Sequence, residues 1–121
     1  MLMKGENVTF LEILQTIAAI ATILTGLVSL VRPHAIKGFT GLETSGPRGV
    51  TEIRSILGGV FIGIGIAPLF LKTPEAFQML GFTYLVIGAV RAVTMFLDKS
   101  VVRSNVISLV VEIVFGVILI L

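Results

Sequence analysis

The sequence predicts an all-α polytopic membrane protein, with four transmembrane helices in one antiparallel bundle. Three observations point there. Apolar residues make up 55% of the 121-residue chain and charged residues 13%, with a mean hydropathy of +1.08, too oily for a water-soluble domain of this size. Four runs each reach the roughly 20 apolar residues that cross a bilayer core: about 10–31, 50–71, 76–97 and 102–121. The runs are continuous rather than alternating, which sets aside a β-barrel. A single transmembrane domain, 1–121, is expected, and function must then reside in the bundle, its two interfaces or its lipid-facing surface.

The first span is longer than the apolar stretch of a signal peptide, and its flank offsets Lys4 with Glu6, so it is expected to be retained. Glu12 is expected at the interface and Gln15 in a bond across helices. Ala18, Thr22, Gly26 and Ser29 form a stripe of small residues, and Pro33 stops the helix. In the connection 32–49, the stretch from Pro33 to Phe39 mixes apolar and basic side chains and is expected to lie along the headgroups, before a turn at Thr44-Ser45-Gly46-Pro47.

The second span carries Ser55, Gly59, Gly63 and Ala67 at strict four-residue spacing, with Gly58 and Gly65 alongside. Small residues let another backbone approach closely, which is how helices associate in lipid. The partner is either the first or third span of the same chain, or a second copy or another subunit. Gly59 and Gly63 echo the spacing of a phosphate loop without its strand, lysine or helix start. Pro68 removes a backbone donor and predicts a kink or an early end. Tight connections at 72–75 and 98–101 predict that spans two, three and four are sequential neighbours, with Thr73 capping the third ahead of Pro74. The third span answers with Gly81, Gly88 and Ala92, and the fourth with the polar, small face Ser104, Ser108, Glu112 and Gly116.

The net charge of +2 is best read by position. Arg32, Lys37, Arg48, Lys99 and Arg103 sit in two connections, against Lys4 and Lys72 on the other side, which predicts that both termini face away from the cytoplasm. The basic residues are too scattered for a nucleic-acid surface. The absence of cysteine excludes disulfides and thiolate-held clusters. The only histidine, His34, lies outside the spans, which argues against axial haem ligation in the bundle. No cofactor and no metal site is expected.

Arg91 and Glu112 stand out because a charge at mid-span costs roughly 3 kcal/mol on insertion scales. Arg91 lies about 10 Å inside the boundary at Asp98, and Glu112 about 13 Å inside the boundary at Arg103, at 1.5 Å per residue. Adjacent antiparallel helices bring them to similar depth, so a salt bridge is expected. Glu52 and Arg54 enter at the same end, with Glu52 predicted to point inward as a further partner of Arg91 and Arg54 rotated away. The cluster Glu52, Arg54, Arg91 and Glu112 reads as a buried ion-pair lock, as a binding or proton-exchange site in which Arg91 captures an anionic head, or as a contact for another subunit's charge.

The string Glu52-Ile53-Arg54-Ser55-Ile56-Leu57-Gly58-Gly59, with Gly63, Gly65, Gly88-Ala89-Val90-Arg91 and Glu112, resembles a family of small four-helix bacterial membrane proteins classed as a domain of unknown function. The resemblance implies four spans in a bacterial inner membrane and marks Glu52, Arg54, Arg91 and Glu112 as family-like positions; it implies no activity. The expected function is non-enzymatic: an accessory or scaffolding subunit packing against larger membrane proteins, as in an energy-converting complex. The alternatives are a homo-oligomeric carrier or channel using Arg91 and Glu112, and a protein that binds a lipid or quinone. Membrane lipids, other membrane subunits or a second copy are the partners implied.

Overall fold

The structure of the chain, a computed structural model, describes residues 8–121. Lys4 and Glu6, used in the charge reading above, lie outside the described residues. Four helices are long and apolar enough to cross a membrane: α1 (Phe10–Val31), α3 (Pro47–Leu71), α4 (Pro74–Leu97) and α5 (Arg103–Ile120). A short helix, α2 (Lys37–Thr40), follows a 3-10 turn at Pro33–Ile36. No strand occurs among the described residues.

Local chemistry accounts for most helix ends. Thr9 caps α1 by accepting from the Glu12 amide at 3.1 Å, with Glu12 favourably placed in the first turn. Gly41 ends α2 at φ 77°, a left-handed conformation that suits glycine. Pro47 sits in the first turn of α3, where its missing N–H costs nothing. Pro68 does not end α3 early: its ring is buried and the helix runs on to Leu71, closed by Lys72 at φ 56°. Thr73 caps α4 ahead of Pro74 as expected, accepting from the Ala76 amide at 3.3 Å.

The helices form two close antiparallel pairs, α1 with α3 and α4 with α5. α3 and α4 share the tight turn yet touch less extensively than either pair does within itself. Glycine sets both seams. A Cβ added at Gly26 of α1 would stand 2.7 Å from the Gly58 carbonyl oxygen and the Ile62 amide nitrogen of α3, and one at Gly65 would stand 2.9 Å from the Ala19 carbonyl oxygen. In the second pair, a Cβ at Gly81 would stand 3.0 Å from the Gly116 carbonyl oxygen. Backbones thus approach directly, as association in lipid favours.

This corrects the expected stripe. Ser55, Gly59 and Gly63 are exposed and Ala67 only half-buried, whereas Gly58 and Gly65 are buried in the α1 seam. The reason is angular. At 100° per residue, Gly59 stands about 100° around the helix from Gly58, so a stripe through Gly59 and Gly63 runs beside the seam, while a step of seven returns to within about 20°. Gly58 and Gly65 are seven apart. The turns over Ile53–Gly59 are also widened to a π-type pattern, which further breaks a four-residue register.

The two pairs join through a core at one end of the bundle. Ala18, Ala19, Phe77, Leu80, Tyr84 and Leu119 are buried together, with Ile64, Leu69 and Phe115 against them. The Tyr84 and Phe115 rings meet edge to face, with centroids 5.5 Å apart, a favourable geometry for their quadrupoles. Polar bonds cross the pairs here as well. Gln15 Nε2 donates to the Ile118 carbonyl at 2.9 Å, the cross-helix bond expected of it. Thr22 and Tyr84 share a buried hydrogen bond. Because the Thr22 hydroxyl already donates to the Ala18 carbonyl at 2.8 Å, the Tyr84 hydroxyl is the donor. Tyr84→Phe therefore strands no donor, and its expected cost is only about 1 kcal/mol, to be read from reversible unfolding in detergent.

Candidate functional site

At the opposite end the pairs diverge. The last turns of α1 and the first turns of α3 face α5 across a cleft of about 910 Å³, capped by the segment from Ala35 to Leu42. Thr25 and Ser29 of α1, Leu57 and Phe61 of α3, and Ser104 and Ser108 of α5 line its walls. Leu57 belongs to the π-type turns of α3, a deviation that recurs beside functional sites.

Arg91, Asn105 and Glu112 stand on the wall as one hydrogen-bonded group. The Arg91 guanidinium donates from Nε to Glu112 Oε1 and from Nη2 to Glu112 Oε2, each at 2.8 Å. This is the two-pronged geometry in which arginine and carboxylate match best. Nη1 donates to Asn105 Oδ1 at 2.7 Å. The Asn105 amide in turn donates to the Ser100 carbonyl at 2.9 Å and its hydroxyl at 3.2 Å, fixing its oxygen toward Arg91. Glu112 is nearly enclosed, its side chain 10% exposed, while that of Arg91 keeps 30% of its surface open in the cleft it lines.

The expected cluster is thus half assembled. Arg91 and Glu112 meet as the depth arithmetic predicts, and Ser104, Ser108, Glu112 and Gly116 all turn into protein or cleft. Glu52 and Arg54 do not join them. Since α3 begins at Pro47 rather than near Val50, Arg48 lies one turn before Glu52 and takes its carboxylate at 2.9 Å. Glu52 and Arg54 are both exposed. Asn105 and Ser100 were missed. The signal for Asn105 was present: it lies seven residues before Glu112 and therefore on the same helix face.

Among the described residues, no three His, Asp or Glu side chains come together to hold a metal ion. What the cleft offers is a space with apolar side chains such as Leu57 and Phe61 and a hydrogen-bonding group around Arg91. Binding sites for small amphiphiles have this make-up, with volumes of about 300–1,000 Å³.

The family model described as a domain of unknown function (DUF4345) matches residues 10–121, all four spans. No curated protein and no solved structure matches the chain.

Proposed function

The chain belongs to the DUF4345 family, a domain of unknown function, and from that premise we propose that it is a non-enzymatic membrane protein that binds a lipid- or quinone-like amphiphile in the cleft. The observation that carries this reading is the cleft of about 910 Å³ with Arg91 on its wall. Apolar side chains such as Leu57 and Phe61 would hold the tail, and Arg91 the head. The asymmetry of the bundle supports it: one end is filled by the core of Phe77, Leu80 and Leu119, whereas the other is held apart around a space with polar and apolar walls.

The accessory-subunit reading draws on outward residues such as Phe70 and Met79, 80% and 72% exposed. Such surfaces serve lipid as readily as protein, so they decide less than the cleft does. The carrier reading would require Glu112 to exchange protons or ions, and both its carboxylate oxygens are occupied by Arg91. By the distribution of Lys and Arg, the mouth of the cleft faces the cytoplasm of a bacterial inner membrane.

Native mass spectrometry of the chain taken from its source membrane in mild detergent tests this. The expected result is one small amphiphile retained per chain, lost when Ser108→Phe fills the cleft. Retention of the same molecule by the variant would sink the reading. Fixed-ratio recovery of a larger membrane protein, without a small ligand, would favour the accessory subunit instead.

A further inference from the structure

The charge balance of the cleft narrows what its wall accepts. The charged side chains that line it are Lys37, Arg91 and Glu112. Arg91 is matched by Glu112 at 2.8 Å, and Lys37 at the rim is matched by Glu43 at 2.6 Å. Two cations thus meet two anions, and the cleft carries no uncompensated charge. An anionic head at Arg91 would bring a net charge into this site and lie beside the Glu112 carboxylate. Both effects oppose binding in a low-dielectric surrounding.

Hydrogen bonding still has room for a guest. A guanidinium carries five N–H donors. Nε, Nη1 and Nη2 each spend one, on Glu112, Asn105 and Glu112 respectively. One N–H on Nη1 and one on Nη2 are left over, on a side chain 30% exposed in the cleft. The hydroxyls of Ser104 and Ser108 stand on the same wall. The site is therefore a donor without a net charge.

We propose that the cleft selects an electrically neutral head bearing a carbonyl or ester oxygen, which accepts from the spare N–H groups of Arg91, and that it discriminates against anionic heads. This inference rests on the cleft being a binding site and revises the expectation that Arg91 captures an anion. An ester-linked neutral glyceride and a quinone both present the required oxygen.

Three probes decide it on the purified chain in a non-ionic detergent: dioleoylglycerol, decyl-benzoquinone, and dioleoyl phosphatidate, which has the glyceride's tails and an anionic head. At least one neutral probe is expected to bind about tenfold or more tighter than phosphatidate, a free-energy difference of about 1.4 kcal/mol. Whether the glyceride or the quinone leads identifies the source of the head. Glu112→Gln unmasks the charge of Arg91 and is expected to reverse the order in favour of phosphatidate. Phosphatidate binding as tightly as both neutral probes, and lost with them when Ser108→Phe fills the cleft, overturns the neutral-head inference but leaves the cleft reading standing. A Glu112→Gln chain that keeps the neutral preference overturns it too. Binding of all probes unchanged by Ser108→Phe, or no binding of any, overturns the cleft reading itself. The comparison on the native chain decides without a variant.

Discussion

Removing either charge of the central pair is expected to destabilise the bundle by about 3 kcal/mol, whereas removing both is expected to cost far less than the sum. Arg91→Leu leaves the nearly enclosed Glu112 carboxylate with neither of its donors. Glu112→Leu leaves the guanidinium with Asn105 as its one acceptor among the described residues. A lone charge in such a place is costly, while a hydrophobic pair of similar volume is often neutral or better. In the double variant Asn105 still has Ser100 to donate to, so little is stranded. The measurement is a double-mutant cycle from reversible unfolding in bicelles, with the double variant expected within about 1 kcal/mol of the native chain and hence a coupling of about 5 kcal/mol. Simple additivity would show that the two side chains act independently.

Hydropathy made the spans legible, because a continuous apolar run can satisfy its backbone in lipid only as a helix. The bounds of α1 agree with the sequence reading, and those of α4 and α5 differ by one or two residues. The start of α3 was not legible. Pro47, Arg48 and Gly49 look like loop by composition, yet Pro47 takes the first turn of the helix, where its fixed φ suits and its missing N–H costs nothing. That small extension had a consequence for the site, since it handed Glu52 to Arg48.

The Arg91 and Glu112 pair was legible from depth alone, as the tight 98–101 connection fixes α4 against α5. The cleft was not. Its existence depends on where glycine lets backbones touch, at Gly26, Gly58 and Gly65 on one side and Gly81 and Gly116 on the other. It depends also on the larger residues that pack only one end of the space between those pairs. Spacing by seven rather than four would have selected both the true α3 seam and Asn105. The stripe through Gly59 and Gly63 lies about 100° around the helix from Gly58 and so misses that seam.

Alanine at glycine positions should separate the two α3 faces sharply. Gly26→Ala is expected to cost about 3 kcal/mol or to prevent assembly, because its Cβ would meet two backbone atoms of α3, the Gly58 oxygen and the Ile62 nitrogen, at 2.7 Å. Neither can rotate away as a side chain would, so α1 and α3 must separate along their seam, with the cost of an overpacked core or more. Gly59→Ala and Gly63→Ala have nothing within 4 Å of the new Cβ. They are expected to fall within about 0.5 kcal/mol of the native chain, on the favourable side where alanine's helix propensity tells. The comparison is made by unfolding each variant in the same detergent. Equal losses at Gly59 or Gly63 would mean that the outer face of α3 is itself a seam, covered by a second copy or another subunit, and would return weight to the accessory reading. Loss at Gly26 alone places the structural role of glycine on the inner seam that holds one wall of the cleft.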